Sequence, residues 1–106
     1  MTYREKRVLF TQYIHQLLKF IDEETPFEAA ISWSKRCNDC PVGIKNSLHK
    51  LSLAVDIDLY MNGIYLTKTI SHIIPGTYWE KLHPDCRWGG RFNDGNHYSF
   101  AHGGRA

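Results

Sequence analysis

The segment from Leu53 to Tyr60 most constrains the fold, because its side chains alternate between apolar and polar or small residues. The odd positions carry Leu, Val, Ile and Leu, while the even positions include Asp56 and Asp58. A period of two is the pattern of a β-strand with one buried face. Asn62-Gly63 follows, a dipeptide typical of tight hairpins, so residues 64–66 are predicted to form the returning strand.

The rest of the chain adds helices and short strands to this hairpin. Thr2-Tyr3-Arg4-Glu5 matches a capping box, and apolar residues then recur at helical spacing, which predicts a helix over residues 3–23. Strands are predicted over residues 27–34 and 97–100, and a short helix over residues 78–82, after an interruption at Pro75-Gly76. We therefore expect one α+β domain spanning residues 1–106, with helices flanking an antiparallel sheet.

Composition excludes several classes of function. The chain has 106 residues and a net charge of +2, without a basic block, so we expect no binding to nucleic acid. No apolar run reaches the 18 or so residues that a membrane span needs. The N-terminal residues lack the apolar core of a signal peptide, and the 3 cysteines are odd in number, which favours a reducing cytosol. The protein is expected to be a monomer.

Asp56 lies in the middle of the most apolar segment. Either its face of the sheet is exposed, or its charge is paired or bound to a metal. Two histidines favour the second interpretation: His49 precedes Asp56 by seven residues, and His97 follows Asp94 by three. Two imidazoles and a carboxylate form a catalytic zinc set, and another carboxylate can act as general base. The hypothesis is that His49, Asp56 and His97 bind one Zn²⁺ and that Asp94 is the base.

Two segments carry a family resemblance. Residues 47–57, SLHKLSLAVDI, resemble the S-x-H-x-x-G-x-A-x-D-[IL] signature of the M15 zinc peptidases, with Ser52 where the family usually has glycine. Residues 88–97, WGGRFNDGNH, resemble the W-G-G-x-[FW]-x-D-x-x-H segment of their phage endolysin branch. Members of that family are VanY-like carboxypeptidases and L-alanyl-D-glutamate endopeptidases that cut the stem peptides of peptidoglycan.

The resemblance implies a Hedgehog/DD-peptidase-like fold and the same zinc ligands, with Asp94 as catalytic base. It also places Ser47 near the bound peptide and makes Arg36 a candidate for holding a substrate carboxylate. The implied function is a phage or prophage hydrolase that cleaves peptidoglycan stem peptides, with the L-Ala-D-Glu bond favoured. Such an enzyme would accumulate in the host cytoplasm and reach the cell wall through a holin, without a separate wall-binding domain.

Two other functions remain open. The first alternative is a D-Ala-D-Ala carboxypeptidase of the same family. The second is a non-catalytic zinc-containing module that binds the cell wall. The motifs are common to both types of peptidase, whereas the presence of Asp94 argues against a non-catalytic module.

Several further residues have alternative roles. Cys37 and Cys40 form a C-x-x-C pair that Cys86 could join, as free thiols, in a disulfide or at a second metal site. Asp58 is either exposed or orients a ligand histidine. His102 is close enough in sequence to the last strand for a substrate role. His72 and His83 are expected at helix ends or turns, and His15 at the surface.

Overall fold

A computed structural model describes residues 1–33 and 53–102 of the chain. Its first element is helix α1, Tyr3–Glu24, which begins and ends close to the predicted positions. The Thr2 hydroxyl accepts a hydrogen bond from the Glu5 amide, and the Glu5 carboxylate accepts one from the Thr2 amide, so the predicted capping box is confirmed. Hydrogen bonds from Thr2 to this carboxylate lower the pKa of Glu5 below its ordinary value, the one from the Thr2 backbone most strongly. Thr25 is the C-cap, in extended conformation before Pro26.

The described residues contain a sheet of five strands. These are β1 (Glu28–Trp33), β2 (Ala54–Met61), β3 (Ile64–Leu66), β4 (Cys86–Trp88) and β5 (His97–Phe100). All the pairings are antiparallel, in the order β1-β2-β5-β4, and β3 pairs with the far end of β2. The predicted α+β class with an antiparallel sheet is therefore confirmed.

The hairpin joining β2 to β3 follows the prediction from Asn62-Gly63. Both residues have positive φ, 53° for Asn62 and 78° for Gly63. A two-residue hairpin with a type I′ turn needs positive φ at both central positions, and asparagine and glycine adopt it most readily. The apolar positions of β2 also behave as predicted, since Val55, Ile57 and Leu59 are buried.

One face of the sheet packs against the helices. Side chains from α1, β2 and β5 form a single core that includes Leu17, Ile57, Tyr98 and Phe100. Trp79, fully buried, contacts Phe10 of α1 edge-on at a ring distance of 5.8 Å. The neighbouring residues of β2 and β5, including Asp56 and His97, point to the opposite face, because side chains alternate along a strand.

The second helix, α2, is longer than the predicted helix of residues 78–82. It spans Ile73–Leu82, so Pro75-Gly76 lies inside it instead of interrupting it. Pro75 is the third residue of the helix, where a backbone N–H has no partner within the helix and its absence costs little. Gly76 is buried, and the Trp88 ring occupies the space where a larger residue would place its Cβ. Strand β4 was also missed, as Cys86-Arg87-Trp88 is too short to show a period.

No helix within residues 1–33 or 53–102 combines the length and apolar character needed to cross a membrane.

Candidate functional site

The central feature of the site is a pair of directly opposed residues on β2 and β5. The register of these strands places Asp56 opposite His97. Their side chains are 12% and 17% exposed, and Asp56 Oδ1 lies 3.8 Å from His97 Nδ1. The structure thus brings together two predicted ligands that are far apart in the sequence.

Asp56 is buried, so the interpretation of its position as simply exposed is wrong. A carboxylate in such a place is costly unless a positive charge, a metal ion or hydrogen bonds compensate it. The backbone around it is irregular: the pairing of β1 with β2 shifts register between Ile31 and Trp33, opposite Asp56. Bulges of this kind are frequent beside active sites, where they redirect side chains.

The donor set suits zinc. Two ligands bound to the same tetrahedral Zn²⁺ at bonds of 2.0–2.1 Å are about 3.3 Å apart. The 3.8 Å between Asp56 and His97 is close to that separation. No cluster of three or more His, Cys, Asp and Glu side chains arranged for a metal occurs within the described parts of the chain. The predicted third ligand, His49, lies outside them, as do the substrate-binding candidates Ser47 and Arg36.

Asp94, the predicted base, lies in the turn that leads into β5. Its amide donates to the Gly89 carbonyl oxygen at 3.0 Å, and its own carbonyl oxygen accepts from the His97 amide at 3.1 Å. Its side chain is exposed, so it is accessible to a substrate and to water. The turn therefore holds the candidate base three residues from a candidate ligand by backbone hydrogen bonds.

The two glycines of the W-G-G segment are required in this turn because a side chain at either position would overlap neighbouring atoms. A Cβ on Gly89 would overlap the Asp94 carbonyl oxygen and lie 2.8 Å from the His97 Cβ. A Cβ on Gly90 would overlap the Trp88 ring. The Trp88 indole donates to the Gly95 carbonyl oxygen at 2.7 Å. The segment thus packs its backbone closely around Asp94 and His97, and the Trp88 side chain stabilises the turn through this hydrogen bond.

Beside Asp94 lies a polar pocket of about 150 Å³. It is formed by the chain that leaves β3, residues 65–69, by His72, and by the turn of residues 93–96. The Gly95 amide donates to the Thr69 hydroxyl at 3.2 Å and so connects the two segments. Sequence reasoning missed this pocket, because neither segment has a recognisable pattern.

His72 is buried and contacts another polar side chain, which its expected place at a helix end did not predict. It is the N-cap of α2, as expected, but it is only 3% exposed, and its Nδ1 lies 2.7 Å from the Tyr98 hydroxyl. Burial lowers the pKa of His72 to about 4, although the charge of Asp58 opposes the shift. His72 is therefore neutral at pH 7. Burial raises the pKa of its partner, Tyr98.

The remaining candidates have ordinary surroundings. Asp58 is half-buried and accepts a hydrogen bond from the Tyr65 hydroxyl at 3.4 Å, and its charge raises the pKa of Tyr65. His102 Nδ1 lies 3.1 Å from Lys6 Nζ of α1, and the His102 ring contacts Tyr3. His15 is exposed and His83 is the C-cap of α2, both as expected.

Cys86 is a free, buried thiol, and burial raises its pKa to about 12. Such a thiol is a poor nucleophile and a poor metal ligand, because both roles need the thiolate. Cys37 and Cys40 lie outside the described residues.

In comparisons with known proteins, no family model matches this chain and no curated sequence matches it. The resemblance to the M15 peptidases accordingly rests on the residues of the two motifs.

Proposed function

We propose that this protein is a zinc-dependent peptidoglycan peptidase of the phage endolysin type, with a Hedgehog/DD-peptidase-like fold. The observation that carries the proposal is the opposition of Asp56 and His97 at 3.8 Å, with Asp94 in the turn just before His97. His49 is the proposed third ligand. Ser47 and Arg36 are the proposed contacts to the peptide.

The chemistry divides between the metal and the chain. Bound zinc would lower the pKa of a water molecule to about 7 and polarise the scissile carbonyl group. Asp94 takes the proton of the attacking water and returns it to the leaving amine, as a general base that becomes a general acid. Its exposed carboxylate can reach a substrate, while backbone hydrogen bonds fix the turn that carries it.

The favoured scissile bond is the one between L-Ala and D-Glu, since the WGGRFNDGNH segment resembles the endolysin branch. In this proposal the enzyme is made in the host cytoplasm and acts on the wall after release through a holin. Cleavage between two D-alanines is the second candidate, and it shares the same metal chemistry.

Metal content and product mapping test the proposal together. The purified full chain should contain about one equivalent of zinc. His97→Gln should lose both the zinc and the hydrolysis of muropeptides. Asp94→Ala should retain zinc but hydrolyse at least about 100-fold more slowly. Asp22→Ala, which removes an exposed carboxylate from α1, is the matched control and should behave as wild type.

Mass spectrometry of the digested muropeptides identifies the bond. Products that end in L-alanine support the endopeptidase, whereas free D-alanine alone would identify a carboxypeptidase. Digestion by Asp94→Ala at the wild-type rate would show that Asp94 is not the base. Zinc binding by a wild-type protein that cuts no peptidoglycan would favour a wall-binding module.

A further inference from the structure

The polar pocket beside Asp94 has the size of a subsite for one short group. Its volume of about 150 Å³ is well below the roughly 300–1,000 Å³ of pockets that enclose a whole drug-sized ligand. Asp94 belongs both to this pocket and to the turn that leads to His97. A group bound here would therefore lie next to the proposed acid and base.

Besides the carboxylate of Asp94, the described lining of the pocket offers one positive charge and several hydrogen-bond donors. Lys68 is the only cationic side chain among these lining residues, since His72 is neutral at pH 7. Lys68 makes no ion pair with any residue of the described chain. Its ammonium group is thus available to an anionic ligand.

Hydrogen-bonding groups surround this charge. The Thr69 hydroxyl accepts from the Gly95 amide, which leaves its own hydrogen free to be donated. The side-chain amides of Asn93 and Asn96 also line the pocket and carry further donors. An ammonium group, a hydroxyl and two amides are together suited to a carboxylate, which only accepts hydrogen bonds.

The position of the pocket selects a particular carboxylate, on the basis of the proposed peptidase function. Asp94 would protonate the leaving amine, so a pocket at Asp94 lies on the leaving-group side of the scissile bond. In a stem peptide the leaving amine belongs to D-glutamate, which continues the chain through its side chain. Its α-carboxylate is therefore free, one carbon from the leaving nitrogen.

We propose that this pocket, lined by Lys68, Thr69, Asn93 and Asn96, binds the free α-carboxylate of the D-glutamate that follows the scissile bond. The pocket then makes the enzyme selective for stem peptides with an unmodified glutamate. Stem peptides in which this carboxylate is amidated to D-isoglutamine lose the ionic contact with Lys68.

Two matched substrates test the subsite in the full, zinc-loaded chain. These are synthetic stem peptides that differ only in carrying D-glutamate or D-isoglutamine. The wild type should cleave the D-glutamate peptide with a KM about tenfold lower. Lys68→Met should remove this preference by raising KM for the D-glutamate peptide alone, with little change in kcat. Lys81→Met, which removes an exposed lysine from α2, is the control and should retain the preference.

Binding separates the subsite from the proposed reaction. The dipeptide γ-D-Glu-L-Lys, titrated into ¹⁵N-labelled protein, should shift the amide resonances of Lys68 and Thr69, and its amidated form should bind about tenfold more weakly. An active enzyme that ignores amidation, or a Lys68→Met variant equally impaired on both peptides, would overturn the subsite while the peptidase stands. Selective binding by a chain without hydrolysis would support the subsite and overturn the peptidase.

Discussion

At the scale of single residues, two titratable side chains, Asp56 and His72, are buried in different surroundings. Asp56 is buried beside His97 on one face of the sheet, where the proposed metal ion would compensate its charge. His72 is buried against Tyr98, a neutral partner. The first arrangement suits a metal site, whereas the second makes the fold sensitive to acid.

The pKa of His72 predicts a loss of stability in acid. This pKa is about 4 in the folded chain and about 6.5 in the unfolded chain. The unfolded state therefore binds more protons below pH 6.5, so the stabilisation is complete above that pH and is lost as the pH falls towards 4. The free energy of unfolding of the metal-free protein, measured in urea, should fall between pH 7 and 4.5. We expect this fall to be about 2 kcal/mol smaller in His72→Gln than in the wild type.

His15→Gln is the control for this measurement, because His15 is exposed on α1. It should preserve the pH dependence of the wild type. An identical dependence in His72→Gln would show that His72 does not carry the effect.

At the scale of elements, α1 shows how local sequence sets the start of a helix. Thr2 and Glu5 satisfy each other's backbone amides at the first turn. Further along, the Thr11 hydroxyl donates to the Arg7 carbonyl oxygen at 2.9 Å. Both residues lie in the interior of α1. The same residue type thus has opposite effects at the cap and in the interior.

Replacing each threonine by alanine should change stability in opposite directions. Thr2→Ala removes an N-cap and should destabilise the protein by about 1 kcal/mol. Thr11→Ala exchanges a poor helix former for the best one at an exposed site and should be neutral or stabilise by up to about 0.5 kcal/mol. Chemical denaturation of both variants measures the difference. Equal effects would argue against the capping box as the source of stability.

Helix α2 shows why a local sequence pattern can mispredict an element. Pro75-Gly76 has the composition of a break, yet the proline occupies the first turn of a helix and the glycine receives the Trp88 ring. The need for a glycine at position 76 arises from a residue 12 positions away in the sequence. A local rule contains no information about that contact.

At the scale of the whole molecule, Trp79 connects the helical layer to the sheet. Its ring contacts Phe10 of α1 and Tyr98 of β5, and its indole N–H lies 3.1 Å from the Arg87 carbonyl oxygen and 3.0 Å from that of Ser99. Three elements besides α2 therefore meet at one buried side chain.

Trp79→Phe should destabilise the whole chain by about 2 kcal/mol, because it leaves a cavity and removes a buried donor. Tyr78→Phe, on the same helix, removes only the hydroxyl of a half-buried ring and should cost less than about 0.5 kcal/mol. Urea unfolding at pH 7 provides the comparison. A Trp79→Phe variant as stable as Tyr78→Phe would show that this residue does not link the layers.

Much of the fold was predictable from the sequence, because its strongest signals are local. Helix α1, the strands β2 and β5 and the Asn62-Gly63 hairpin were each predicted within one or two residues. Of the candidate site, Asp56 and His97 lie opposite each other on neighbouring strands, and Asp94 lies in the turn before His97. The roles of these residues, and of His49, remain predictions.

The sequence by itself determined which residues share a face of a strand, where α1 begins, and which side chains were candidates for a metal. These properties follow from the periods of helices and strands and from the dihedral preferences of single residues. Only the tertiary structure decided that Asp56 is buried opposite His97, that His72 is neutral against Tyr98, and that Lys68 faces a pocket shared with Asp94. Each depends on strand register or on packing between distant segments, and neither is encoded in any local stretch of the chain.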